Sequence, residues 1–399
     1  MFQLKYKTMK KIYKSMPILL IVIAMLGVFT SCDKNEDVNK GTPVISYVRI
    51  TRATASDSLL VSAGQGQLIA IIGDNLQDAR EIWFNDRQAS LTPTYITKSS
   101  ILVSVPTIVP FQITNKLKII FASGDSLLYD FNVKINKPEI TSMDCEYVQD
   151  GKVATFRGNY FYLPISVTFP GEVEGTNVSV DATNKILTVT VPSGTIPGQI
   201  TVTSNFGTTK TDFLYKDNRN IFISSDPFQG WWNASFVVNS PGTADVPAIN
   251  GNYIRIVKSL GAWGWQEIAG GPANTMLPQS QNIPDEAILK PALYNFKFEV
   301  CTSKPYNGSG ILFNVGTQDG DHGNYLWAPP YDTKGQWQTV VIPFEEVVKV
   351  NTDATVISYK VAPVVNHDGY WSRVVFQGPT GLDCDMSFDN FRVVPKVAQ

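Results

Sequence analysis

The strongest constraint on this chain is that it repeats itself. Thr42-Pro43-Val44-Ile45 is answered by Lys137-Pro138-Glu139-Ile140, and the strand-like run Gln67-Leu-Ile-Ala-Ile-Ile-Gly73-Asp74-Asn75 by Lys152-Val-Ala-Thr-Phe-Arg-Gly158-Asn159-Tyr160. Val105-Pro106 is answered by Val191-Pro192, so the offsets are 95, 85 and 86 residues. A near-constant offset of one domain length, with loops of variable size, means tandem modules. Inside the first unit, alternating and β-branched runs such as Val44–Ile50, Gln67–Ile72, Ser100–Val105 and Lys116–Phe121 are separated by turn residues such as Gly73-Asp74-Asn75 and Ser123-Gly124-Asp125. Short strands at that spacing predict an immunoglobulin-type β-sandwich. No Cys…Trp…Cys pattern is present, which excludes an antibody-type core.

These features resemble IPT/TIG domains, the immunoglobulin-like modules shared by plexins and transcription factors. The matching residues are the opening Pro-x-Ile, the strand ending in Gly73-Asp74-Asn75 or Gly158-Asn159-Tyr160, the Val-Pro strand ends, and Ile200-Thr-Val-Thr-Ser-Asn-Phe206-Gly207. The resemblance implies two spacer modules, at residues 44–136 and 137–217.

The N-terminus reads as an address. Lys5, Lys7, Lys10, Lys11 and Lys14 come first, then an apolar stretch from Met16 to Phe29, then Thr30, Ser31 and Cys32. Basic, short apolar and small-residue regions in that order predict a secretory signal over residues 1–31. A small residue followed by Cys32 resembles the lipobox of bacterial lipoproteins, with Phe29 in place of the usual leucine, a departure that lipoproteins of the Bacteroidetes tolerate. The resemblance implies acylation of Cys32, two or more acyl chains being needed for stable anchoring. Residues 32–43 form the tether, and Asp33-Lys34-Asn35-Glu36-Asp37 resembles the surface-export signal of the same lipoproteins.

Charge narrows the partners. The whole chain has 33 Lys and Arg against 35 Asp and Glu, and five of those lysines lie in the leader. The remainder is acidic, which argues against nucleic acid as a partner. Two histidines and four cysteines exclude a multi-ligand zinc module. Cys145, Cys301 and Cys384 are odd in number and far apart, so buried thiols are the default. Spacing alone leaves a Cys301–Cys384 bridge open.

Composition shifts after the polar link Lys216–Asn220. Seven of the eight tryptophans lie beyond it, as do both histidines. Residues 220–399 remain strand-like, with single helical turns expected at Pro284–Lys290 and Phe344–Val348, and a larger jelly-roll sandwich fits. The predicted class is therefore all-β: two tandem immunoglobulin-like sandwiches followed by a jelly roll.

Sugars present hydroxyls to amides and carboxylates, and C–H faces to aromatic rings. Four segments have that composition: Gln229–Asn233, Gly261-Ala-Trp263-Gly-Trp265-Gln266-Glu267, Asp319–Tyr331 with His322, Asn324 and Trp327, and Asn366-His367-Asp368-Gly369-Tyr370-Trp371. Trp263 and Trp265 are two apart and would share a face on a strand. Trp327, Tyr370 and Trp371 neighbour Gly and Pro in expected loops, where binding residues concentrate. They are the leading choices, with Trp263, Trp265, Asn324 and His367 around them. Trp337 opens a strand and reads as structural.

The whole layout resembles the surface glycan-binding proteins of Bacteroidetes polysaccharide-utilisation loci, in the group called surface glycan-binding protein B, whose C-terminal module is described as xyloglucan-binding. Gly251–Ile256, Gly261–Trp265, Asn324–Trp327, Gly369–Trp371 and Phe388-Asp-Asn-Phe-Arg-Val393 carry that resemblance. It implies a cell-surface lipoprotein of the outer membrane, in a SusE/SusF-like position, that holds xyloglucan or a related β-glucan on an aromatic platform without cleaving it. It also implies a TonB-dependent transporter and a SusD-like lipoprotein as partners. On the resemblance, the platform role falls to Trp327, Tyr370 and Trp371.

Two other classes use similar residues. A glycosidase needs two flanking carboxylates. Glu267, Asp321, Glu345 and Asp368 are present, but no Glu-x-Asp-x-x-Glu strand motif or Gly-x-Ser-x-Gly elbow occurs. An adhesin would use exposed aromatics as an interface core, yet here the aromatics sit among Asn and Asp. No cofactor is expected. Asp383, Asp385 and Asp389 supply oxygen ligands of the kind a structural calcium takes; the plainer reading is solvated carboxylates beside the last strand.

Overall fold

The structure is a computed structural model. It describes residues 41–52, 54, 58–223, 225, 226, 228, 234–271, 283–306, 310–316, 325–328, 331–348 and 370–397. The expected leader, the acylated Cys32 and most of the tether lie outside those residues. The chain divides into two compact units, Met1–Ile135 and Asn136–Gln399.

The first unit is an immunoglobulin-like sandwich. One sheet holds Val44–Ile50, Leu68–Asp74 and Ser100–Ser104; the other holds Arg87–Gln88, Ala79–Phe84, Lys116–Phe121 and Ser126–Asp130. Alternation decides which side chains meet between them: Ile69, Ile71, Ile82, Ile101, Leu117 and Ile119 are buried in one cluster. The second unit opens with a matching sandwich. Its sheets hold Glu139–Met143, Val153–Asn159, Ile186–Thr190 and Thr176–Val180, and Val173–Glu174, Ile165–Phe169, Thr201–Ser204 and Gly207–Lys210.

The repeated motifs have a physical basis. A Cβ on Gly73 would lie 1.9 Å from the carbonyl oxygen of Val44, and one on Gly158 would lie 1.9 Å from that of Glu139. In both modules the opening strand bulges beside this glycine, between Ile45 and Tyr47 and between Ile140 and Ser142. Two residues on, Asn75 and Tyr160 are both left-handed, at φ 59° and 61°. The Val-Pro pairs close the same turn twice: Val105 bonds Gly66 and Gln67 through its backbone, and Val191 bonds Gly151 and Lys152. Proline follows where the ladder ends, because it has no N–H to give.

The terminal domain is a two-sheet sandwich. Val237–Val238, Tyr253–Leu260, Leu382–Pro395, Tyr294–Thr302 and Gln338–Pro343 form one sheet in that order, with Ile221–Ile223 also paired to Leu382–Pro395. Gln266–Gly271, Trp371–Phe376, Ile311–Gly316 and Tyr325–Trp327 form the other. Phe296, Phe298, Phe313, Phe376, Phe388 and Phe391 fill the space between. The helical turns are Asp285–Leu289 and Phe344–Val348, within the segments expected from sequence.

Inside the second unit the module and the terminal domain share a buried seam. Cys145 and Tyr147 pack with Val246, Tyr253, Cys301 and Trp337 in one apolar cluster. Beside it Glu146 accepts from Lys297 Nζ at 2.6 Å and from Arg392 Nη2 at 2.8 Å. Arg392 also forks onto Glu299, at 2.8 and 3.0 Å, and its guanidinium lies 5.1 Å from the Tyr147 ring centroid. Thr339 ties both sides together, donating to Glu299 at 2.9 Å and accepting from the Glu146 N–H at 2.8 Å. Two acids and two bases thus neutralise each other where water is excluded. Asp389 sits on the same strand as Arg392, opposite Glu299 in register, and burial holds its carboxyl well above the usual range.

All three cysteines in the described residues are free and buried. Cys301 lies opposite Ser387, while the Cys384 thiol donates to the Ile256 carbonyl at 3.4 Å, so the bridge left open by spacing is not formed. Burial raises Cys301 to about 11 and Cys384 to about 12.

Candidate functional site

The four-stranded sheet of the terminal domain carries the candidate site on its outer side. Val374, Phe376, Ile311 and Phe313 point into the core. Alternation then places Glu267, Val375, Leu312 and Leu326, one register row across the four strands, on the opposite face. Leu326 is 56% exposed there.

The turn leading into this sheet supplies the aromatics. Trp263 is 66% exposed and Trp265 50%, the largest exposures of any described tryptophan. They do not share a strand face, as two-residue spacing suggested. Gly264 N–H closes a turn onto Gly261 O at 3.0 Å, and Trp263 is left-handed, at φ 61°. The Trp263 N–H is anchored to Gly378 O at 2.6 Å.

Trp265 is held in place. Its Nε1 donates to Glu267 Oε2 at 3.3 Å, and Arg373 Nε donates to Glu267 Oε1 at 2.8 Å. The Arg373 guanidinium lies 5.5 Å from the Trp265 ring centroid, within cation–π range. Glu267, only 8% exposed, therefore orients both the ring and the cation. A bulge between Glu267 and Ala269 sets this geometry, and Gly270, opposite Arg373, lets the strands close up. A Cβ on Gly270 would fall 2.5 Å from Ser372 O. The result is a fixed, half-exposed indole flanked by a neutralised ion pair, a surface able to stack a sugar ring and hydrogen-bond its hydroxyls.

Two leading residues from the sequence are corrected. Trp327 is buried, at 9% exposure. It stacks on Tyr306 at 5.8 Å and meets Phe298 edge-on at 5.5 Å and Tyr331 at 5.3 Å. On Tyr325–Trp327 the parity puts Leu326 outside and Trp327 inside. Tyr370 is buried too, its hydroxyl donating to Asp285 Oδ1 at 2.8 Å, which ties the start of the strand Trp371–Phe376 to the short helix Asp285–Leu289. Both are core residues and not a platform. Trp371 begins its strand opposite Gly316, and its side chain lies outside the described residues. Asn324 and His367 also lie outside them. Trp337 is buried, with Nε1 donating to Pro247 O at 2.8 Å.

The three aspartates are not brought together as a metal cluster among the described residues. Asp383 accepts from Lys304 at 2.8 Å, Asp385 is forked by Arg255 at 2.9 and 3.0 Å, and Asp389 is buried at the seam. Glu267 and Arg373 mattered more than the sequence indicated. The signal for Glu267 was its place two residues after Trp265; Arg373 lies 106 residues further on, and no local pattern marks it.

Comparison with known proteins agrees with this architecture. Residues 215–395 match the family described as the surface glycan-binding protein B xyloglucan binding domain. An IPT/TIG domain-containing protein of Bacteroides ovatus is 27% identical over 207 residues, 46% of this chain. The match covers 42% of that relative's length. The crystal structure of the surface glycan-binding protein PbSGBP-B from Prevotella bryantii superimposes with a TM-score of 0.67 at 24% identity, covering 89% of this chain and 99% of that one. The chain is thus all-β, with immunoglobulin-like modules ahead of a terminal region, residues 215–395, that matches the surface glycan-binding protein B xyloglucan-binding domain.

Proposed function

We propose that this chain captures a neutral β-glucan of the xyloglucan type at the cell surface and does not cleave it. The observation that carries this reading is the clamped, half-exposed Trp265 beside Trp263, on the outer sheet edge of a domain that matches that family. Glu267 supports binding over catalysis: it is engaged by Arg373 and by Trp265 and is nearly buried, so it is not poised as a general acid.

In this reading Cys32 carries the lipid anchor, the modules carry the binding face away from the bilayer, and a transporter with its partner lipoprotein takes up the products of other enzymes. A single platform binds weakly, in the micromolar to millimolar range, about −4 to −8 kcal/mol. Many anchored copies on one polysaccharide raise the effective affinity ~100-fold or more.

Affinity electrophoresis of residues 33–399 through gels containing xyloglucan, mixed-linkage β-glucan, galactomannan or starch tests this, with reducing-end release assayed alongside. Retardation by xyloglucan without sugar release is expected. Release of reducing ends, or no retardation by either β-glucan, would overturn it.

A further inference from the structure

The seam that joins the second module to the terminal domain opens on one side into a cleft of about 540 Å³. That lies within the ~300–1,000 Å³ range of small-molecule sites, and junctions between domains are preferred places for them. Both walls belong to one compact unit. The module supplies Val148, Gln149, Val153 and Thr155; the terminal domain supplies Pro247, Ile249, Gln336 and Trp337.

The chemistry of the lining selects a ligand. Two carboxylates face the cleft, and both are already neutralised. Asp144 is forked by Arg157 at 2.7 and 3.0 Å, and Asp245 accepts from Arg255 at 2.7 Å. Lys152 is the remaining charged group of the lining, at its rim beside Val153. The other polar groups are amide and hydroxyl: Gln336 and Thr155 make no side-chain hydrogen bond among the described residues. Gln149 spends its Nε2 on Ala248 O and keeps its own oxygen, and Gln338 accepts from Tyr331 and keeps its NH₂. Between these amides lie apolar surfaces, Val153 being 62% exposed. Planar amides around an apolar floor suit an uncharged polyhydroxylated chain with C–H faces.

We propose that this cleft is a second saccharide site, separate from the tryptophan turn, in which the second module takes part in binding. The inference rests on the reading of the chain as a polysaccharide binder. A site on the six-stranded sheet's side and a platform on the four-stranded sheet hold two stretches of glucan, so the terminal domain and its neighbouring module act as one binding body.

Calorimetric titration of residues 33–399 with xyloglucan oligosaccharides tests this by stoichiometry. Val153→Arg fills the cleft from an exposed strand position, and Gln336→Ala removes an amide without touching the seam. The expected result is two sites per chain, one lost in Val153→Arg and weakened about tenfold in Gln336→Ala, the other lost in Trp265→Ala. A single site that survives both cleft substitutions and vanishes in Trp265→Ala would overturn the cleft and leave the platform standing. A single site lost only in Val153→Arg would support the cleft and overturn the platform. No binding by the unaltered chain would overturn both.

Discussion

Arg392, on the last strand of the terminal domain, and Glu146, in the second immunoglobulin-like module, form a buried ion pair, Nη2 to Oε2 2.8 Å. They are 246 residues apart in sequence. The module is therefore more than a spacer placed before the binding domain. Its Glu146 completes the charge balance of a sheet that would otherwise bury Lys297 and Arg392 against Glu299 alone.

Glu146→Ala is expected to cost about 3–5 kcal/mol, the penalty for stranding a buried charge. Chemical denaturation of residues 33–399 measures it. A loss below 1 kcal/mol would show that water reaches the seam.

Asp389 makes the reverse prediction. A carboxyl whose folded pKa lies above its unfolded value of ~3.9 holds its proton more tightly when folded, so stability falls as pH rises past that value. Burial raises Asp389 in this way. Asp389→Asn should therefore match the parent in stability below pH ~4 and exceed it increasingly above. Stability curves that stay parallel across this range would contradict the assignment.

The repeat glycines test the module fold. Gly73→Ala and Gly158→Ala would each drive a methyl to 1.9 Å from a backbone carbonyl oxygen. Each should lower stability by ~1–3 kcal/mol or more, as overpacking does. Thermal unfolding reads the effect, and unchanged melting would mean that the opening strand shifts freely.

Much of this fold was legible because its rules are local. Gly73 and Gly158 recur because two strands touch there, and Val105 and Val191 recur because each closes the same turn. The tryptophan turn was legible as composition. The inner or outer assignment of Trp327 was not, because a three-residue strand has no alternation long enough to set its parity, and Leu326 took the outer place. The seam was not legible either. Glu146, Lys297 and Arg392 look like surface charges until a turn and two distant strands bring them together.

Trp327→Ala should cost about 3–5 kcal/mol, as removal of a core tryptophan does. Any loss of binding should follow unfolding and vanish under conditions where the variant is folded. A folded, fully stable Trp327→Ala protein that no longer binds would return the platform to that residue.

Whether Trp263 and Trp265 form the binding surface is decided by calorimetric titration of xyloglucan into residues 33–399. Substituting both by Ala should weaken binding at least ~30-fold, the ~2 kcal/mol that marks a hot spot, with the melting temperature unchanged. Undiminished affinity in that folded double variant would remove both tryptophans from the binding surface.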